Sequence, residues 1–385
     1  MQLNHLVVRL LGPLAIAAIL TACSGLGRSG SIVPSTTPAE SPANRVRSAH
    51  TTEFVYVTNS DAGTVSGYAV NANTGALKKV KGSPFRTGID PHGVAADLDG
   101  RYVYVTNAHS SNVSAYVINA GSGALTPVKG SPFAAGSGPV AVTVDPSGRF
   151  LYVANAVSSN ISAYTIDAGT GALKPVKRSP LETGPLPYAV TTDSVGDFAY
   201  VANALSDTLS AYTIDAYTGA LAAVKGSPFK AGHFPRGVGV DLGYVYTANR
   251  ASANVSGYKV NERSGALRPV KGSPFAAGTY PSAIAIDPSN GWVLVTSTGS
   301  DTVSVYADNA VTGTLTPVKG SPFRTGIEPE GIAIDFTGLF VYVTNNGTST
   351  ISAYKLNPIS GTLTRVTGSP FKTGRSPQQA AVVLE

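Results

Sequence analysis

A repeat of about 48 residues runs through most of the chain and constrains its fold more than any other feature. Its clearest marker is a four-residue segment, Tyr-Val-Thr-Asn or a close variant, which occurs seven times. The seven copies start at Tyr56, Tyr104, Tyr152, Tyr200, Tyr246, Leu294 and Tyr342. Adjacent copies are therefore 48 residues apart, except for one interval of 46. A period of this length is typical of propellers, solenoids and other repeat arrays.

Each unit is predicted to contain four short β-strands. In the second unit, runs rich in apolar, β-branched and aromatic residues cover His92–Asp97, Tyr102–Asn107, Asn112–Asn119 and Leu125–Val128, with turn residues between them. A second marker, Ser-Pro-Phe in six units and Ser-Pro-Leu in the other, follows the fourth run. No segment of the repeat has a convincing helical period. Four antiparallel strands in each of seven units predict an all-β fold, a seven-bladed β-propeller.

The two ends of the repeat region complement each other. The region begins within a unit, at a second strand, and it ends at residues 377–383 with a first strand that nothing follows. We expect this C-terminal strand to close the first blade, because closure removes the open sheet edges. First strands also carry small residues, which indicates that they line the crowded axis of the ring. These residues are Gly93, Ala141, Ala189, Gly237, Ala283 and Gly331.

Composition and motifs exclude several classes of function. Charged residues make up only 13% of the chain, which is too few for a coiled coil. The net charge is +6, but the basic residues are scattered along the chain rather than clustered, so we expect no nucleic-acid partner. The chain has no Gly-x-Ser-x-Gly nucleophile elbow and no phosphate-binding loop, and we expect no cofactor.

The N-terminus is predicted to be a targeting segment. Residues 1–23 contain one Arg and no acidic residue, and the apolar run Leu10–Leu20 is too short to span a bilayer but fits a secretory signal. The run ends in Leu20-Thr21-Ala22-Cys23, and Cys23 is the only cysteine of the chain. This segment resembles the lipobox of bacterial lipoproteins, in which the cysteine is acylated. A general secretory signal with an incidental cysteine is the alternative.

The lipobox resemblance implies that the membrane is a partner, through a lipid anchor on Cys23, and that the protein lies in the cell envelope. Ser24 follows the cysteine and resembles the outer-membrane sorting signal of Gram-negative cells. Residues 24–50 are rich in Ser, Pro, Gly and Thr, which predicts a flexible tether. The predicted regions are thus a signal peptide (1–23), the tether (24–50) and the propeller (51–385).

One position of the repeat breaks the repeat's own pattern. The residue after the first-strand proline differs between units, although its neighbours are nearly constant. Because a packing role would select one residue type, the variation predicts a functional face at one end of the central channel. The seven residues are His92, Val140, Tyr188, Arg236, Ser282, Glu330 and Gln378. By strand direction, the same face should also carry Asp61, His109, His233, Arg250 and Asn346.

This face allows three interpretations. It is a solvated rim whose charges pair with one another, a pocket for a small polar or anionic ligand, or a metal site built from His92, His109 and a carboxylate. No His-x-x-x-His or His-x-His pair supports the metal site, so we predict none. The candidate ligand-binding residues are His92, Tyr188, Arg236, Arg250, Glu330 and Gln378.

The repeat resembles the β-propeller repeat that is known by the letters YVTN. Residues 54–385 as a whole resemble the seven-bladed propeller lactonases, a family that includes the propeller type of 6-phosphogluconolactonase. The resemblance implies a lactone hydrolase, which needs a base to activate water and a cation to hold the oxyanion. Its cytoplasmic members use a cluster of His, Arg and Glu on this face. Asn249-Arg250 resembles an Asp-Arg pair of the family, and Pro235-Arg236-Gly237 resembles a Pro-Arg-Gly segment.

The acid and base positions of the family match poorly. With Arg250 setting the register, Leu186-Pro187-Tyr188 replaces an Arg-His pair, Asn203-Ala204 replaces Asn-Glu, and Val140 replaces a His. In this chain the candidate catalytic residues are His92 or Glu330 as the base, with Arg236 and Arg250 as cations.

Three functions therefore stay open from the sequence. The preferred prediction is an exported, lipid-anchored propeller that binds a polar ligand or an envelope protein at one face of the channel. A lactonase-type hydrolase is the first alternative, and a structural scaffold of the cell envelope is the second.

Overall fold

The computed structural model describes residues 52–241, 243–287, 289 and 291–384. The predicted signal peptide, the predicted acylation site Cys23 and the predicted tether lie outside these described residues. Within them, seven separate sheets are arranged as the blades of a propeller, and each sheet is antiparallel. The predicted all-β, seven-bladed fold is confirmed. The regular helical structure among the described residues is one 3-10 turn, Asn346–Thr348, and no helix there is long and apolar enough to cross a bilayer.

We number the blades 1 to 7 and list their strands in that order. The inner strands are Pro377–Leu384, Pro91–Ala96, Pro139–Val144, Pro187–Thr192, Pro235–Asp241, Pro281–Ile286 and Pro329–Ile334. The second strands are Glu53–Asn59, Tyr102–Asn107, Phe150–Asn155, Phe198–Asn203, Tyr244–Asn249, Trp292–Ser297 and Phe340–Asn345. The third strands are Thr64–Val70, Asn112–Ile118, Asn160–Ile166, Thr208–Ile214, Asn254–Val260, Thr302–Asp308 and Thr350–Leu356.

Two shorter strands complete each blade on its outer side. The fourth strands are Leu77–Lys79, Leu125–Pro127, Leu173–Pro175, Leu221–Ala223, Leu267–Pro269, Leu315–Pro317 and Leu363–Arg365. The fifth strands have two residues each: Phe85–Arg86, Phe133–Ala134, Leu181–Glu182, Phe229–Lys230, Phe275–Ala276, Phe323–Arg324 and Phe371–Lys372. The fifth strand comes from the Ser-Pro-Phe marker and pairs with the third strand, as in Phe85 opposite Val65. It adds to the four strands that the sequence predicted.

The C-terminal strand closes the ring as predicted. It pairs with the second strand of blade 1, with Val382 opposite Val55 and Val383 opposite Phe54. The first blade is thus built from both ends of the described region, and no blade of the ring is left without its inner strand.

The core lies between neighbouring blades. The second strands are buried along their whole length, and each apolar cluster joins two blades, as where Tyr56 of blade 1 meets Val103 of blade 2. Near the axis the inner strands approach so closely that a Cβ on Gly237 would lie 2.7 Å from the carbonyl oxygen of Ser282. The small residues of the inner strands are therefore required by the convergence of the blades, as the sequence predicted.

Candidate functional site

One cavity of about 150 Å³ lies in the central channel, at the end where the inner strands begin. We call this end the mouth. The second residue of every inner strand lines the cavity, so the ring brings together seven side chains that are far apart in sequence. These are His92, Val140, Tyr188, Arg236, Ser282, Glu330 and Gln378. The inner strand places each of them at the mouth because its proline opens the strand there and pairs with the last residue of the second strand.

Arg236 is the centre of a hydrogen-bonded network that crosses three blades. Its Nη1 lies 3.2 Å from Oε1 and 3.1 Å from Oε2 of Glu330, and its Nη2 donates to the Tyr188 hydroxyl over 2.8 Å. The guanidinium carbon is also 4.4 Å from the centroid of the Tyr188 ring. The side chains of Arg236 and Glu330 are only 12% and 15% exposed. This is a largely buried, charge-assisted pair rather than a surface ion pair.

The surroundings of Arg236 keep it charged. Burial by itself lowers the pKa of the guanidinium, but the carboxylate of Glu330 and the phenol of Tyr188 outweigh this effect, and the pKa is raised overall. Arg236 lies in blade 5, Tyr188 in blade 4 and Glu330 in blade 7. Blade 6, which lies between Arg236 and Glu330, presents the small, buried Ser282. The short Ser282 leaves the guanidinium of blade 5 room to reach a carboxylate two blades away.

His92 lies on the same cavity as a neutral imidazole. Its ring meets the Tyr188 ring edge-on, with centroids 6.4 Å apart. Burial lowers the pKa of His92 to about 4, and the nearby charges of Arg236 and His109 act in the same direction, whereas Asp90 opposes them. Nε2 of His92 is 3.9 Å from Oδ1 of Asp90, which is too long for a hydrogen bond. At neutral pH the ring therefore offers one donor and one acceptor.

Two of the predicted groups at the mouth have mainly structural contacts. Ser282 shares a hydrogen bond of 2.8 Å with Thr296 and donates to the Pro329 carbonyl over 3.0 Å. The amide of Gln378 lines the cavity and donates to the Ser60 hydroxyl over 3.3 Å. Gln378 is thus a cavity group held in place by a neighbouring loop.

Arg250 does not join this cluster. It is not among the residues that line the cavity, and its Nη1 donates to the Thr298 hydroxyl over 2.9 Å. Its guanidinium carbon lies 5.0 Å from the centroid of the Tyr280 ring. These contacts tie the second-strand loop of blade 5 to blade 6, so the structure separates Arg250 from Arg236.

The two exposed histidines of the predicted face pair with local carboxylates. Nδ1 of His109, a ring that is 75% exposed, lies 3.0 Å from Oδ2 of Asp90. Nδ1 of His233 lies 2.7 Å from Oδ2 of Asp207. No group of three His, Cys, Asp or Glu residues within the described part of the chain is arranged to hold a metal ion. Of the histidines in that part, only His92 lines the cavity.

Gln379 is a cavity residue that the sequence analysis missed. It occupies the position where the other six inner strands have Gly or Ala, and it is among the residues that line the cavity, next to Gln378. Its Oε1 lies 3.0 Å from the place where a Cβ of Gly331 would stand, so the glycine of blade 7 makes room for it. The exception to the small-residue pattern was the signal that could have identified Gln379.

The cavity therefore combines hydrogen-bond donors and acceptors from several blades. Arg236, Gln378 and Gln379 supply N–H donors, while Glu330 and the neutral ring of His92 supply acceptors. A few convergent polar groups in a concave cleft are typical of small-molecule sites. The arrangement suits a ligand with several hydroxyl or carbonyl groups.

Comparisons with known proteins agree with the fold. A family model described as lactonase, 7-bladed beta-propeller, matches residues 28–143, 133–276 and 272–377. A candidate 6-phosphogluconolactonase from Bacteroides fragilis is 20% identical, with a TM-score of 0.76, over 86% of this chain and 98% of that one. A periplasmic gluconolactonase from Pseudomonas aeruginosa is 18% identical, with a TM-score of 0.72, over 86% of this chain and 99% of that one. No curated protein gives a significant match. At these identities the likeness to solved structures establishes the fold alone.

Proposed function

The chain belongs to the family of seven-bladed β-propeller lactonases, and we propose that its channel mouth binds a small polyhydroxylated ligand, such as a sugar lactone. The observation that carries the proposal is the largely buried network of Arg236, Glu330 and Tyr188 beside His92. A merely solvated rim would leave charges of this kind in water. Here a charged pair is buried at the wall of a cavity, where a ligand could use its remaining hydrogen-bonding capacity.

Hydrolysis of the bound lactone is the second candidate function, and the neutral state of His92 favours it. In such a step water would attack the lactone carbonyl carbon while His92 accepts the water proton. Arg236 would stabilise the oxyanion, and His92 would return the proton to the ring oxygen as the C–O bond breaks. A pKa of about 4 makes His92 a weak base at neutral pH, because general bases work best near the operating pH. Binding is therefore the primary proposal.

The two functions are separable by measuring binding and turnover on the same variants. We would titrate the full chain in detergent with glucono-1,5-lactone by calorimetry, and follow lactone consumption above the spontaneous rate. His92→Ala and Arg236→Ala are expected to weaken binding at least tenfold. Arg149→Ala, which removes an exposed arginine of the same type, is the matched control and should bind like the parent.

Each outcome assigns one function. Turnover that is lost in His92→Ala would establish the hydrolase. Binding without turnover would establish a binding protein. A folded chain that binds no sugar lactone would refute both and leave the envelope scaffold.

We also propose that the protein is anchored to the cell envelope by a lipid on Cys23, which the lipobox-like segment before it supports. Two or more acyl chains would hold it stably, since each buried methylene contributes about 0.8 kcal/mol. Mass spectrometry of the N-terminal peptide tests this. A Cys23→Ser chain should lose both the acyl mass and membrane fractionation, and an unmodified mature N-terminus in the parent would refute the anchor.

A further inference from the structure

We propose that Glu330 is a specificity-determining residue: as a built-in counter-ion for Arg236, it makes the cavity select uncharged ligands over anionic ones. This inference rests on the proposed function, because it concerns the charge of the ligand that the mouth accepts. The expected ligands are neutral polyhydroxylated molecules, and phosphorylated sugars and sugar acids are excluded.

The geometry places the carboxylate where an anionic ligand would have to bind. Arg236 is the only lysine or arginine among the residues that line the cavity. Arginine recognises carboxylates and phosphates through paired N–H donors. Both oxygens of Glu330 already lie within 3.2 Å of Nη1, and the Tyr188 hydroxyl accepts from Nη2. A ligand anion would have to compete with Glu330 for this guanidinium.

The charges of the residues that line the cavity sum to zero. Arg236 contributes one positive charge, Glu330 contributes one negative charge, and His92 is uncharged at neutral pH because burial lowers its pKa. Just outside the lining, Asp90 adds a carboxylate within 3.9 Å of the His92 ring. An anion that enters would lose its hydration without meeting a surplus cation, which is unfavourable in a partly buried site.

Neutral ligands avoid this penalty. A hydroxyl group can donate to Glu330 and accept from Arg236 without breaking their ion pair, and the amides of Gln378 and Gln379 offer further partners. If the bound lactone is hydrolysed, the product is an anionic sugar acid. The same counter-ion would then favour release of product over retention.

The test compares one neutral and two anionic probes of similar shape by calorimetry on the full chain in detergent. The probes are glucono-1,5-lactone, gluconate and 6-phosphogluconate. The parent chain should bind the lactone at least tenfold more tightly than either anion. Glu330→Gln keeps the shape and one acceptor oxygen for Arg236 but removes the charge. It should weaken the binding of the lactone, which loses an acceptor, and tighten the binding of both anions, so that the anion-to-lactone affinity ratio rises at least tenfold.

Two further variants separate local charge from other effects. Glu328→Gln removes an exposed carboxylate at the same mouth and should leave the selectivity unchanged. Glu330→Asp retains the charge and should still exclude anions. The ratio measured on the parent chain needs no substitution, so it tests the inference even if a variant fails to fold.

The outcomes distinguish the inference from the proposed function. If the parent binds the anions as tightly as the lactone, or if folded Glu330→Gln gains no affinity for anions, the inference is wrong while the ligand site stands. If neither the parent nor Glu330→Gln binds any probe, both the inference and the proposed function fail.

Discussion

The hydroxyl of Tyr246 donates a hydrogen bond of 2.9 Å to the carbonyl of Gly313. Tyr246 lies in the second strand of blade 5, and Gly313 lies in the hairpin between the third and fourth strands of blade 6. Five other seams of the ring carry the equivalent bond, from Tyr56, Tyr104, Tyr152, Tyr200 and Tyr342. Blade 6 has Leu294 at this position. The tyrosine of the repeat marker thus forms a hydrogen bond between neighbouring blades, and the interface between blades 6 and 7 lacks this bond.

Removal of one of these interblade hydrogen bonds should lower the stability of the ring. Tyr246 is completely buried, so Tyr246→Phe leaves the Gly313 carbonyl without its phenol donor. We expect a loss of about 1–2 kcal/mol in the free energy of unfolding. Urea denaturation measures it, with Tyr217→Phe as the control because that ring is 89% exposed. Equal effects from the two substitutions would contradict the assigned role.

Replacing Ser297 of blade 6 with the Asn of the other repeats should raise stability. Ser297 stands where the six other second strands end in a buried Asn, and its Oγ has no hydrogen-bond partner among the described residues. In blade 7 the corresponding Asn345 donates to Ser352 over 2.9 Å and accepts from the Gly326 N–H over 3.0 Å. Ser297→Asn can form the same bonds with Ser304 and Gly278, which should add about 1 kcal/mol.

Thermal unfolding of two variants, Ser297→Asn and the reverse exchange Asn345→Ser, tests this gain. Ser297→Asn should raise Tm, and Asn345→Ser should lower it. A fall of Tm in Ser297→Asn would mean that blade 6 has repacked around the smaller residue.

A buried carboxyl at the closing edge should make stability depend on pH. Burial, together with the charge of Asp335, raises the pKa of Glu53 from 4.5 to about 7, although a bond from the Phe336 backbone partly opposes the shift. In the unfolded chain the group ionises near 4.5. Its contribution to stability is therefore fully present below pH 4.5 and is lost as the pH rises to about 7.

Glu53→Gln mimics the protonated carboxyl and should remove this dependence. At pH 8 we expect it to stabilise the fold by about 1–3 kcal/mol, and at pH 5 the gain should be smaller. Urea denaturation at the two pH values measures the difference, with the exposed Glu262→Gln as control. A gain at pH 5 as large as that at pH 8 would contradict the assignment.

His92 should make the protein less stable as the pH falls, whereas Glu53 makes it less stable as the pH rises. Its folded-state pKa of about 4 lies below the ordinary value of 6.5, with burial as the main cause, and Asp90, Arg236 and His109 are the charged or titratable groups that act on it. The contribution of neutral His92 to stability is full above pH 6.5 and is lost as the pH falls towards 4. His92→Gln should flatten the decline of Tm between pH 6.5 and 4. The exposed His233→Gln should retain it, and an unchanged slope in His92→Gln would disprove the burial effect.

The blade count, the closure and the main strands could be predicted because the repeat presents the same pattern seven times. In blade 2 the predicted second strand matches Tyr102–Asn107 residue for residue. The fifth strands escaped prediction because a two-residue strand such as Phe85–Arg86 is too short to show alternation. Gln379 escaped because it lies in the incomplete unit at the C-terminal end.

The architecture and the ring of variable residues at the mouth can both be predicted from the sequence alone. Both follow from local patterns, since strand periodicity and a break in a repeat are visible without knowledge of contacts. Which of those residues interact depends on how the closed ring places them in space. Arg236 meets Tyr188, which is 48 positions away, and Glu330, which is 94 positions away, whereas Arg250 turns to Thr298. Such pairings depend on the radius of the closed ring and on the reach of each side chain, and neither quantity is carried by any single repeat.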